Sequence, residues 1–197
     1  LNARSSFPYM VLDVHAERSE PLNPRFQVMH WHDDLQFLLV LEGTVQIRTL
    51  GGFVELSQGQ AVFINTAVAH MVVTTAGSRH NSFLFPSSFL GFGAGLPSMR
   101  YVDRLVGEPS LPLIAFDGTQ PWHVQVIDLL YELSSMELAR RSADGANGPG
   151  ALLPSDDPDY AFEVLLRLNE LWLILARNVR LGSVSHTGAG VASRMRT

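Results

Sequence analysis

The feature that most constrains the fold is a series of short apolar segments between residues 26 and 85, each bounded by turn residues. The predicted strands are 26–32, 36–41, 45–50, 53–56, 61–64, 70–75 and 81–85. Tight connections such as Glu42-Gly43-Thr44 and Gly51-Gly52 separate them, and the Gly-Gly pair is the strongest hairpin signal. Many short strands joined by tight turns predict an antiparallel β-barrel or sandwich.

Beyond Pro86 the sequence changes to helical periodicity. A short strand is expected at 111–116, after which Pro121 begins a helix that runs to about residue 141. Asp157 is the expected N-cap of a second helix, with Pro158 in its first turn and an end near residue 181. We therefore expect a mainly β fold with C-terminal helices: a barrel domain in 1–120, a helical subdomain in 121–181 and a Gly/Ser-rich linker in 182–197.

The second helix carries an apolar stripe that is wider than one sheet face can cover. One explanation is that the helix is buried within its own subunit. The other is that part of the stripe packs on a second protomer, which would make 121–181 a dimerisation subdomain. The predicted dimer interface comprises Val164, Leu168, Leu171, Trp172 and Leu175.

The composition excludes several classes of chemistry and partner. The chain has no cysteine and all 14 of its basic residues are arginine, which excludes disulfides, thiolate metal sites and lysine-based catalysis. With a net charge of −5, the chain is not expected to bind nucleic acid on its own. It shows neither an apolar span of bilayer length nor a secretion signal, which predicts a cytoplasmic protein without membrane contact.

A group of histidines is the strongest candidate for a functional site. His30 and His32 lie two residues apart on a predicted strand and share a face, while His70 arrives on a later strand. Gln36, just past a short turn, can present its amide to the same space. Three imidazoles suit a divalent transition metal such as zinc or nickel, with positions left open for a ligand. The alternative, which the sequence leaves open, is that the histidines line a polar pocket without a metal.

Two motifs around these residues resemble a known family. The spacing His30-x-His32-x3-Gln36-x6-Gly43 is similar to the first cupin motif, and Gly59-x5-Asn65-x4-His70 is similar to the second. More specifically, residues 20–181 resemble the N-terminal effector-binding domain of AraC/XylS-family transcription regulators, in which a histidine-rich strand, a Glu-Gly turn, a Gly-x5-Asn segment and a closing histidine recur in this order. The resemblance implies a cupin-like (jelly-roll) barrel followed by two helices, and a helix-turn-helix domain that this chain lacks.

The resemblance also bears on the site. Metal-binding cupins usually carry a Glu ligand at the position of Gln36, which is a neutral and weaker ligand. The predicted metal ligands are therefore His30, His32 and His70, with Gln36 as a weak fourth. The predicted effector pocket comprises Phe26, Val28, His30, His32, Gln36, Leu38 and His70.

Three classes of function remain. A ligand-sensing and dimerisation domain of an AraC-type bacterial regulator accounts for the acidic charge, the apolar helix, the linker and the basic residues that follow it. A cupin metalloenzyme, such as a dioxygenase or isomerase, accounts only for the histidines, and a dimerisation module without a ligand leaves the barrel without a role. We predict the first: a homodimeric, non-enzymatic sensor of a small molecule, which contacts DNA only through the missing domain.

Overall fold

Nine strands form two antiparallel sheets in the part of the chain that the computed structural model describes, residues 7–16, 18–22, 27–144 and 157–181. The strands are β1 (Met10–His15), β2 (Arg18–Glu20), β3 (Leu35–Glu42), β4 (Thr44–Thr49), β5 (Gly52–Ser57), β6 (Ala61–Ile64), β7 (His70–Thr74), β8 (Arg79–Phe85) and β9 (Leu113–Phe116). The larger sheet has the order β2-β1-β8-β3-β6-β9, and the smaller has the order β5-β4-β7.

Alternate side chains of the two sheets face each other and fill the interior of the barrel. Leu38 of β3 is the register partner of Val62 on β6 and of Ser82 on β8, so these three residues share the inner face. The apolar cluster on this side draws on both sheets, through Leu12, Val14, Leu38, Val40, Val45, Ile47, Leu56, Val62, Ile64, Val72 and Leu84. The sheets are therefore packed face to face, and the fold is cupin-like, as predicted.

Helices cover the outer face of the larger sheet. A short 3-10 helix, Ser87–Phe89, is followed by α1 (Met99–Leu105), α2 (Pro121–Asp144) and α3 (Pro158–Asn178). Phe37 and Phe63 are register partners on this outer face, and Trp172 of α3 packs edge-on against Phe63 with 5.8 Å between ring centroids. Both faces of β3 are thus buried, which explains its almost uninterrupted apolar sequence.

The apolar stripe of α3 is buried within the subunit. The residues predicted to form a dimer interface are between 0 and 3% exposed: Val164, Leu168, Leu171, Trp172 and Leu175. They belong to a cluster that also contains the outer face of the sheet, α1 and α2. The interface prediction is therefore wrong, because the subunit's own sheet and helices cover the stripe without a second protomer. Residues 121–181 pack as a layer on the barrel and share its outer core.

Other sequence predictions differ from the structure locally. Described residues 27–32 form no strand, because only His30 makes an isolated bridge, to His70. The β4–β5 hairpin is present, but its loop is shifted by one residue to Leu50-Gly51, and Gly52 begins β5 with a φ of +142°. β1, β2 and α1 are not predicted by the sequence, while Asp157 caps α3 as expected by accepting from the amides of residues 159 and 160. The predicted linker, 182–197, lies outside the described residues.

A buried carboxylate connects α2 with its neighbours. Glu137, 5% exposed, accepts hydrogen bonds from Arg140 and Arg141 in its own helix and from the Tyr160 hydroxyl of α3 at 2.7 Å. Arg141 also donates to the carbonyl oxygen of Val11 on β1 at 2.7 Å. Burial raises the pKa of Glu137, but the hydrogen bonds from its partners more than offset this and hold the pKa below its ordinary value.

A second buried titratable group lies inside the barrel. His80 of β8 faces Val14 and Val40, is 1% exposed, and has no hydrogen-bond partner for either ring nitrogen among the described residues. Burial lowers the pKa of His80 to about 4, although the nearby Asp13 carboxylate opposes the shift. The ring is therefore neutral at pH 7.

Candidate metal centre

Backbone pairing brings the three histidines to one end of the barrel. His30 N donates to the carbonyl oxygen of His70 at 3.0 Å, and His70 N donates to that of His30 at 2.9 Å. Ala67 N donates to the carbonyl oxygen of His32 at 2.9 Å, which holds the second histidine beside the loop that precedes β7. His30 and His32 are therefore positioned by an irregular segment paired to this loop, and not by a regular strand.

The side chains of His30, His32 and His70 converge. Their available ligand atoms all lie within 4.8 Å of one another. The ring centroids are 4.5 Å apart for His30 and His70, 5.2 Å for His32 and His70, and 5.8 Å for His30 and His32. These three histidines could hold a metal ion.

Each ring is anchored through its Nδ1 atom to a backbone carbonyl. The Nδ1 atoms of His30, His32 and His70 donate to the carbonyl oxygens of Val28 (2.8 Å), Asp34 (2.8 Å) and Val68 (2.9 Å), respectively. Because a carbonyl oxygen only accepts, Nδ1 carries the proton, and Nε2 of each neutral ring keeps its lone pair. Contacts of this kind set the tautomer and the ring orientation of metal-binding histidines.

Gln36 adds an oxygen to the three nitrogens. Its Oε1 atom lies 3.1 Å from His32 Nε2 and 3.2 Å from His70 Nε2. Its Nε2 atom donates to Ser82 Oγ on the adjacent strand β8 at 3.2 Å, which turns the amide oxygen toward the histidines. In this arrangement lone pairs face lone pairs, which is unfavourable until a cation lies between them. The donor set therefore fits a metal ion, with Gln36 as a weaker fourth ligand.

The centre is closed on the barrel side and open toward solvent. Gln36 is 4% exposed and His70 is fully buried, while His30 and His32 are partly exposed. Burial lowers the pKa of His70 to about 4, and the hydrogen bond to the Val68 carbonyl offsets only part of this effect. His70 is thus neutral at pH 7, the form in which an imidazole binds a metal.

The other predicted pocket residues have different environments. Leu38 lies on the same inner face of β3 as Gln36 and is fully buried. Val28 is 51% exposed, and its carbonyl oxygen accepts the hydrogen bond from His30 Nδ1. Phe26 lies outside the described residues.

Two polar residues have roles that the sequence does not predict. Ser82, 3% exposed, is the partner of the Gln36 amide. Asn65, 2% exposed, donates to the carbonyl oxygens of Leu105 (2.7 Å) and Leu111 (3.1 Å) and accepts from the amides of residues 66 and 107, so it holds the connection between α1 and β9 against the barrel. Ser82 gives little signal in the sequence, because β8 (RHNSFLF) is polar over its first four residues.

The chain is similar to a protein family within its barrel, and to a transcriptional regulator over most of its length. Residues 17–85 match the Cupin domain family. Over 151 residues, 76% of this chain, the sequence is 28% identical to the uncharacterized HTH-type transcriptional regulator YdeC of Bacillus subtilis (strain 168). The chain spans about half the length of this curated relative, 46% of it being covered.

Solved structures also show local similarity. A cupin-2 domain containing protein from Shewanella frigidimarina is 22% identical, with a TM-score of 0.31 and coverage of 40% of this chain and 68% of that chain. The EutQ protein of Clostridium difficile is 15% identical, with a TM-score of 0.30 and coverage of 40% and 55%. Among the described residues, none of the helices combines the length and hydrophobicity that a membrane crossing requires.

Proposed function

We propose that this chain is the ligand-sensing part of an AraC-type bacterial transcription regulator. In this proposal a small molecule binds at the open end of the barrel, and the signal is read by a helix-turn-helix domain that belongs to a longer protein. The similarity to a regulator that is about twice as long supports the proposal, because 76% of this chain aligns with it. The net charge of −5 supports the assignment of DNA contact to another domain.

The observation that carries the proposal is the set of acceptor atoms at the candidate metal centre. Three Nε2 lone pairs and one amide oxygen meet at the point where the barrel opens to solvent. In our proposal His30, His32, His70 and Gln36 hold a zinc or nickel ion, which would supply an open coordination position for the ligand. The residues of this chain hold the ion in place and close the barrel side of the centre, and we assign them no catalytic step.

Metal analysis of untagged protein tests the centre. We expect one equivalent of metal in the wild type and none in His30→Ala or His70→Ala, whereas His15→Ala, an exposed histidine on β1, should keep the full amount. Added zinc should raise the unfolding temperature of the wild type and of the control only. A wild type without metal, with a stability that zinc leaves unchanged, contradicts the centre.

A mobility-shift experiment tests the regulator assignment. The longer protein should retard a fragment of its own promoter at physiological salt, and this chain alone should not. We propose in addition that the protein is a cytoplasmic homodimer. Sedimentation of this chain checks the dimer, for which the inner stripe of α3 is not available.

A cupin metalloenzyme is the second candidate. Three histidines with open coordination positions favour it, since such a centre also suits substrate activation. Within the described residues, no Asp or Glu carboxylate joins the histidine cluster as a candidate general base. The two candidates differ in the fate of the bound small molecule: a sensor releases it unchanged, whereas an enzyme converts it.

A further inference from the structure

The candidate metal centre has an uncharged set of ligands. The histidines bind as neutral rings, and Gln36 contributes an amide where a carboxylate would bring a negative charge. The acidic side chains nearest in sequence, Asp33 and Asp34, do not belong to the cluster of potential ligand atoms. A divalent ion held here therefore keeps its full double charge, unlike an ion in a site with a carboxylate ligand.

Apolar residues next to the histidines in sequence or register are exposed. Val28 and Met29 precede His30 and are 51% and 45% exposed, and Trp31 follows it and is 64% exposed. Leu50, 86% exposed, follows Thr49, which is the register partner of His70. Apolar residues that stay exposed so close in sequence to the histidines are candidates for contact with the apolar part of a ligand.

We propose that this centre binds a small organic anion, a carboxylate with a short apolar chain, and that Gln36 determines this preference. The inference rests on the proposed metal centre and names the class of its ligand. The carboxylate takes the open coordination position, where the uncompensated charge of the ion attracts it. Its apolar chain lies against Val28, Met29 and Trp31. An aspartate or glutamate in place of Gln36 would cancel part of the charge on which the anion depends.

Calorimetry on zinc-loaded protein tests the preference. Butyrate should bind at least about tenfold more tightly than butyramide, which has the same shape without the charge, and more tightly than acetate, which lacks the apolar chain. Protein freed of metal with a chelator should bind none of the three detectably. Direct metal analysis of each sample shows whether zinc is present before each titration.

Substitutions of Gln36 test its part in the preference. Gln36→Glu should keep zinc and bind butyrate about 10- to 100-fold more weakly, because two like charges come to lie within a few ångströms of each other. Gln58→Glu makes the same chemical change in an exposed turn and should bind butyrate as the wild type does. Gln36→Leu keeps the ligand set uncharged and should retain the preference for butyrate over butyramide.

The outcomes separate the two proposals. Wild-type protein that holds no zinc contradicts the metal centre itself. Protein that holds zinc and binds butyrate and butyramide equally, or binds neither, contradicts the anion preference and leaves the centre intact. A zinc-loaded Gln36→Glu variant with wild-type affinity for butyrate removes Gln36 from the explanation. If Gln36→Glu fails to fold, zinc-loaded Gln36→Leu is titrated with butyrate and butyramide in its place. Equal affinities for the two would contradict the explanation by an uncharged set of ligands.

Discussion

Replacing Trp172 by alanine tests whether the inner face of α3 is core or interface. Trp172 is 3% exposed, its Nε1 atom donates to the carbonyl oxygen of Tyr101 at 3.0 Å, and its ring packs on Phe63. Truncation of a buried Trp costs about 3–5 kcal/mol. The substitution also leaves the Tyr101 carbonyl without this donor, which adds to the loss. We therefore expect the free energy of unfolding to fall by about 4 kcal/mol.

Phe162 provides a matched control on the same helix. Its side chain is 64% exposed, so Phe162→Ala should change the free energy of unfolding by no more than about 0.5 kcal/mol. Urea unfolding followed by circular dichroism measures both variants, at low and at high protein concentration. A core position predicts the same loss at both concentrations. If Trp172→Ala kept the wild-type unfolding midpoint and sedimented as a smaller species, burial of α3 in its own subunit would be refuted.

Three further substitutions have definite expected outcomes. Glu137→Gln should lower the free energy of unfolding by about 3 kcal/mol at neutral pH; because the pKa of Glu137 is held below 4.5, the deficit should disappear as urea titrations move to more acidic pH. His80 takes up its proton near pH 6.5 in the unfolded chain and near pH 4 in the folded chain, so its contribution of about 3 kcal/mol to stability is lost as pH falls through this window. His80→Leu should reduce the loss measured in the same titration by about this amount, and the lowered pKa of His70 accounts for a loss that remains. Asn65→Ala should cost about 2 kcal/mol or more by thermal unfolding, whereas the exposed Asn178→Ala should cost almost nothing.

The barrel could be predicted from the sequence because its turns carry strong local signals. Gly43 connects β3 to β4 with a φ of +69°, and a Cβ atom there would lie 3.1 Å from Ser78 Cα, so the position requires glycine. β6 has the predicted bounds, 61–64, and the predicted strands at 36–41 and 45–50 lie within one residue of β3 and β4 at each end. These elements depend on residues close in sequence, which is the information that a single sequence contains.

The missing elements depend on tertiary contacts. α1 lies in a segment with many glycines and prolines, where periodicity gives no signal. It is fixed by contacts with distant residues, such as the hydrogen bond from Asn65 to the Leu105 carbonyl and that from Trp172 to the Tyr101 carbonyl. The dimer interface is misassigned for a similar reason. Helical periodicity shows that α3 has a wide apolar stripe, but it cannot show that the sheet and two other helices together cover the stripe.

The histidine site shows how a correct grouping can follow from an incorrect local structure. The predicted strand at 26–32 places His30 and His32 on one face; in the structure the segment is irregular, and the two rings converge because backbone bonds to His70 and Ala67 fix them. The motif spacing predicts the group of histidines correctly nonetheless, because it specifies which residues come together and does not depend on the local backbone structure.

Gln36 and Phe37 illustrate why the sequence of β3 does not show which of its two faces carries the candidate site. Successive residues of a strand point to opposite sides, so Gln36 faces the histidines while Phe37 faces α3 through Phe63. Since both sides of β3 are buried, its sequence loses the alternation that would mark one side as functional. The remaining signal is the polarity of Gln36 itself. A buried polar residue in an apolar strand requires partners, and here those partners are Ser82 on one side and the histidine cluster on the other.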